Sequence, residues 1–160
     1  MIRIRETDRY RPLVEEAASA ATLLARTPAC DIAAFLRNLD PARDGAVFVE
    51  HRGALVGFAA FAGGAHGARL RWLAAAAHTH DDGLGDALLM RCVLAAARRG
   101  HTEMQAIATP AGPAAAWLAD AGFHPLGAPR QSSPCLWQRD LRQPVGYRVM
   151  APRSACPDTD

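Results

Sequence analysis

Residues 75–86 read AAAHTHDDGLGD, and the residue types and their spacing are those of an anion-binding turn. An apolar run at 68–76 (ARLRWLAAA) leads into it, and Gly83-Leu84-Gly85 opens a long amphipathic segment. A strand, a glycine-rich turn and a helix start bring backbone N–H groups and the positive end of a helix dipole to one point. Glycine at 83 and 85 would let the backbone approach phosphate oxygens with no Cβ in the way. Asp81 and Asp82 oppose this. At about 6 Å from a pyrophosphate and an effective dielectric of about 20, each carboxylate would cost roughly 3 kcal/mol, and full exposure to water would shrink that below about 1 kcal/mol. The two features are reconciled if Asp82 caps the following helix and Asp81 points to solvent.

Two phosphate-binding turns are excluded. A dinucleotide fold needs a third glycine in G-x-G-x-x-G after the first strand of the chain; here Leu88 holds that position and the turn lies mid-chain. A P-loop needs Gly-Lys-Ser/Thr, whereas all 18 Lys+Arg residues are arginine. The same composition removes a Schiff-base lysine and a lysine general base.

The chain has 160 residues, 50% hydrophobic and 21% charged, which suits one globular domain with a substantial core. A net charge of +2 without a basic block gives no reason to expect nucleic acid as a partner. No apolar run approaches the roughly 20 residues of a membrane helix, and the start, MIRIRETDRYRPLV, lacks the apolar region of a signal peptide. A cytoplasmic protein with no membrane association is therefore expected. Cys30, Cys92, Cys135 and Cys156 are scattered without a C-x-x-C pair, so free thiols and no metal site are expected. Richness in alanine and arginine points to a GC-rich bacterial gene.

The elements that must position the turn follow from the pattern. IRIR (2–5) reads as a strand, 8–26 as a helix, and 31–39 as a second helix with Asp31 as its N-cap. Residues 45–61 read as two strands around a turn at His51-Arg52-Gly53, and 68–76 as a third strand with Leu70 and Trp72 alternating against Arg69 and Arg71. Leu84, Leu88, Cys92 and Ala96 recur at helical spacing up to Gly100. A strand at 103–109, a helix at 112–122 with Pro113 in its first turn, and strands at 123–127 and 133–141 complete an α/β domain over 1–142, followed by a flexible tail at 143–160.

In this order of elements, HDDGLGDALL (80–89) and AAAWLADAGFHPLG (114–127) resemble the two signatures of the GNAT superfamily of acyl-CoA-dependent N-acyltransferases: a [Gln/Arg]-x-x-Gly-x-[Gly/Ala] turn, and a helix ending in Gly-Phe. The resemblance spans Ile2 to about Leu141. It implies a mixed, mostly antiparallel sheet of about six to seven strands with about four helices, and acetyl-CoA as co-substrate with an amine-bearing acceptor. It also implies that His80, Asp82, Gly83, Leu84, Gly85 and Asp86 hold the pyrophosphate, while the main chain around Ala75 and Ala77 bonds the pantetheine arm. His80 stands where the family prefers Gln or Arg, and Asp81 where glycine is common. Leu118 replaces a tyrosine that protonates the departing thiolate, and Ala111 an asparagine that contacts the pantetheine. The acceptor pocket falls to RTPAC (26–30) and GAPRQSSP (127–134).

Attack of a neutral amine on a thioester needs somewhere for a proton to go. His78, at the end of the central strand, is the foremost candidate base, followed by Glu50 and His51, then Glu103 and His124. Cys135 reads as an apolar filler rather than an acyl carrier, and Trp117 as core. An N-acetyltransferase acting on a small-molecule or peptide amine is the first expectation, with a homodimer left open. The alternatives are a degenerate domain that binds acyl-CoA as a sensor or interaction module, and an unrelated α/β binding domain.

Overall fold

The structure, a computed structural model, describes residues 2–7, 14–24, 27–76, 83–128, 130 and 132–144. Its strands are β1 (Ile2–Thr7), β2 (Gly45–His51), β3 (Ala54–Gly63), β4 (Ala68–Ala75), β5 (Glu103–Ala108), β6 (His124–Pro125) and β7 (Cys135–Asp140), and its helices are α1 (Val14–Leu24), α2 (Ala29–Arg37), α3 (Leu84–Arg98) and α4 (Pro113–Asp120). One seven-stranded sheet runs in the order β1-β2-β3-β4-β5-β7-β6. Neighbours are antiparallel except β4 and β5, which are parallel. The expected mixed, mostly antiparallel sheet with four helices is the fold observed.

Side-chain parity in the central strands builds two cores. Ala46, Phe48, Phe58 and Ala60 pack with Ala17, Ala20, Ile32 and Leu36 of α1 and α2. Val47, Val49, Ala59 and Phe61 point the other way, onto Leu88, Leu89, Cys92 and Ala96 of α3 and Leu118 of α4. β2 and β3 are thus buried on both faces, which accounts for their continuous apolar sequence. The hairpin between them closes through Arg52 (φ 54°) and Gly53 (φ 81°), two residues of positive φ as a tight type I′ connection demands.

Local details depart from the sequence reading. The N-cap of α2 is Pro28 (φ −61°, ψ 139°) and not Asp31, which lies in the first turn. Proline has its φ fixed at a value the cap tolerates, and Asp31 there still complements the helix dipole. The strand expected at 123–127 shortens to the two residues of β6. The expected 8–26 helix is described over Val14–Leu24; the remainder of it, and residues 145–160 of the expected tail, lie outside the described residues.

β4 holds the largest departure. Phe61 pairs with Leu70 and Ala60 with Trp72, so Arg71 is an extra residue, a β-bulge. The bulge reverses parity. Leu70 packs on the α3/α4 core and Trp72 on the α1/α2 core, not on one face as simple alternation implies.

Candidate functional site

The parallel ladder between β4 and β5 is short: Ala68 pairs with Met104 and Arg69 with Gln105. Past these pairs β4 continues to Ala75, still bonded to β3 as far as the Ala75–Gly57 pair, and β5 continues to Ala108, still bonded to β7 through Cys135. Each strand stays with its outer neighbour while the inner edges part, and the bulge at Arg71 sits at the point of divergence. A cleft of about 220 Å³ occupies the gap, lined by residues 70–73 and 106–108 together with Leu24, Ala114 and Leu118. Parted edges offer main-chain donors and acceptors to a ligand lying along them. Ile107, on the cleft wall, is 61% exposed, a bare apolar side chain.

α3 begins beside this gap. The N-cap expected at position 82 is taken by Gly83, with φ 68° and no side-chain cap. The first internal bond runs from the Ala87 N–H to the Gly83 carbonyl, 3.0 Å, so the N–H groups of Leu84, Gly85 and Asp86 precede the helical ladder and have no partner within it. A Cβ on Gly83 would meet no described atom within 4 Å. The conformation favours glycine, and no described atom fills the space above it, as a phosphate cradle needs.

Gly85 has a different reason to be glycine. A Cβ there would lie 2.2 Å from Trp117 Cε2. Its bare Cα seats the indole of α4 against α3, and Gly85 itself is buried. This contact gives Gly85 a packing reason to be glycine, beside the phosphate approach expected of it. Ala77, His78, His80, Asp81 and Asp82 lie outside the described residues. Ala75 lies at the end of β4, paired with Gly57.

Asp86, in the first turn of α3, has its carboxyl pushed above the usual range, first by burial and then by the nearby charge of Asp120. Its Oδ1 is buried without a hydrogen-bond partner among the described residues. A group whose folded pKa is raised contributes stability below its unfolded pKa and loses it as pH rises through the folded value. Asp86→Asn is therefore expected to raise the melting temperature near pH 7, with the gain shrinking as pH falls toward 4. Thermal melts of the two proteins across that range check this; a gain that grows toward low pH would contradict the assignment.

The candidate bases separate. Glu50 is engaged by Arg5, Nη2 to Oε1 2.6 Å. Glu103 lies at the closed end of β5 and accepts bonds from Gln105 and Gln138 at 3.2 and 2.7 Å. His124 is exposed on the edge strand, paired with Gln138. None of these lines the cleft. Cys135 does approach its wall: the Sγ donates to the Ala108 carbonyl at 3.7 Å, an oxygen that also accepts from Trp137 Nε1 at 3.2 Å. Leu118, 1% exposed, faces the cleft with no hydroxyl to offer. Cys92 is buried, its thiol pushed up by that burial, and is inert core. The sequence reading missed Arg71 and Ile107 as cleft residues, and a bulge leaves no mark in a single sequence that would have found them.

No protein-family profile and no curated protein matches the sequence. Solved structures do. The chain superposes on an acetyltransferase of the GNAT family from Streptococcus pneumoniae with a TM-score of 0.70, at 16% identity, covering 88% of this chain and 99% of that one. The chain has the GNAT fold. The same fold is shared with the ribosomal-protein-S18-alanine N-acetyltransferase from Escherichia coli (TM-score 0.69, 17% identity, 93% and 99% covered). It is shared too with the PaiA N-acetyltransferase from Thermoplasma acidophilum in complex with coenzyme A (TM-score 0.65, 14% identity, 88% and 99% covered). In the GNAT fold of this chain, the parted β4 and β5 and the Gly83 turn lie together at one end of the sheet.

Proposed function

We propose that the chain is an N-acetyltransferase, moving an acetyl group from acetyl-CoA to the amine of a small molecule or peptide in the cytoplasm. The observation that carries this reading is the parting of β4 and β5 past their two-pair parallel ladder, with a cleft in the gap. The residues suit the co-substrate: a positive-φ turn at Gly83 with three first-turn amides that have no partner among the described residues, for the pyrophosphate, and parted main-chain edges at 70–73 and 106–108 for the pantetheine arm. Acetyl-CoA supplies the thioester.

The chain's own part is orientation and exclusion of water. Leu70, Leu118 and Ala114 wall the cleft with apolar atoms, which strengthens the hydrogen bonds made inside it. Arg71 is the one ionisable side chain among the described lining residues, so the amine sheds its proton to water or to His78, proposed here as the base. Alignment of reacting groups alone is worth up to roughly 7–11 kcal/mol. Leu118 on the cleft wall favours a second reading, a domain that binds acyl-CoA without efficient turnover.

Thiol release from acetyl-CoA over a panel of primary amines separates the two. Transfer is expected, with release dependent on the amine. Acetyl-CoA binding with no thiol released by any amine would establish the second reading instead.

A further inference from the structure

Beside the cleft lies a second cavity of about 470 Å³, bounded by the start of α2 and by β4. Arg71 and Trp72 line both cavities, so the two adjoin. The second holds one charge of each sign. Arg71, the bulge residue, is exposed and reaches over the Trp72 ring, its Cζ 5.6 Å from the centroid. Among the described residues, Asp31 accepts only the Cys30 thiol, Sγ to Oδ1 3.7 Å. Neither side chain has an ion-pair partner among the described residues, and they do not pair with each other. Opposite charges lining one cavity but held apart leave room for a ligand that carries both.

We propose that the acceptor is a diamino carboxylic acid, bound by its amino-carboxylate head between Arg71 and Asp31, with its terminal amine reaching into the gap between β4 and β5. This rests on the transferase reading above. The guanidinium presents parallel donors that match a carboxylate, and the Asp31 carboxylate takes the α-ammonium. From this head site toward the gap the walls turn apolar: Leu24, Leu70, Trp72 and the exposed Ile107. Such walls suit an aliphatic stem. No carboxylate lines the gap among the described residues, so the terminal amine is not held there as an ammonium, which favours its neutral, reactive form. In the transfer, the ammonium first sheds one proton to water; the neutral amine nitrogen then bonds the acyl carbon as the carbon–sulfur bond breaks, and its second proton passes to the sulfur, so that coenzyme A leaves as the thiol.

Ornithine, its decarboxylated diamine and its Nα-acetyl derivative test the head site, by thiol release and by calorimetric binding in the presence of coenzyme A. Ornithine is expected to bind and react at least about tenfold better than either analogue, the size of a charge-assisted contact. Arg71→Gln should erase the preference over the diamine, mainly through KM, and Asp31→Asn the preference over the Nα-acetyl compound. Equal use of all three compounds by the wild type, or variants that weaken all three alike, would overturn the inference while leaving the transferase reading intact. Arg71-dependent ornithine binding with no thiol release would uphold the acceptor site and remove the transferase reading.

Discussion

Gly85→Ala is expected to destabilise the fold by about 1–3 kcal/mol, the usual cost of overpacking a filled interior. In an ordinary helix the same change gains about 1 kcal/mol. Here the new methyl would lie 2.2 Å from Trp117 Cε2 and 2.5 Å from Cδ2, a rigid ring rather than the far end of a flexible chain. α3 and α4 must then separate, and Trp117 packs against the core that contains Leu84, Leu88 and Leu118. Removing the indole removes the clash: in a Trp117→Leu background, Gly85→Ala should be neutral or stabilising. Chemical denaturation of the four proteins in this cycle measures the coupling. An equal penalty in both backgrounds would mean that Gly85 is glycine for a reason other than the ring.

Much of the fold is legible because local chemistry and burial agree. The hairpin at Arg52-Gly53, the stripe along α3, Gly100 and Gly122 at positive φ after α3 and α4, and Pro113 at the head of α4 each occupy the structural position that their residue type favours. Three features are illegible for physical reasons. The bulge at Arg71 inserts one residue into β4 and so inverts every alternation-based assignment beyond it. Gly85 shows the same side-chain-free letter whether it makes room for a phosphate or for an indole. Asp31 and Arg71, each without an ion-pair partner among the described residues, line one cavity only because β4 and the start of α2 close on it, a long-range juxtaposition that neither segment encodes alone. The turn before α3 was legible as a turn, through Gly83, but not the place of Gly83 as the N-cap.

Gly83→Val carries the second large effect, this time on affinity. At φ 68° a residue with a Cβ costs about 1–2 kcal/mol, and a branched one is an outlier. Since an added Cβ meets no described atom within 4 Å, the strain is conformational, and it is relieved by turning the peptide. That turn re-aims the first-turn amides of α3. Losing one such contact to a charged phosphate oxygen costs about 1.5–3 kcal/mol, roughly tenfold to a hundredfold in affinity. The change should be absorbed locally without unfolding the domain.

The most direct measurement of the central claim, that acyl-CoA lies between β4 and β5 with its pyrophosphate on the Gly83 turn, is the thermal stability of the wild type and of Gly83→Val as acetyl-CoA is added. A ligand at 100 times its Kd stabilises the folded state by about 2.7 kcal/mol, which for a domain of this size is a rise of about 5–10 °C. The account predicts that rise for the wild type, and for the folded Gly83→Val variant the same rise only at tenfold or more higher acetyl-CoA. No rise for the wild type at millimolar acetyl-CoA, or identical titrations for the two proteins, would contradict it.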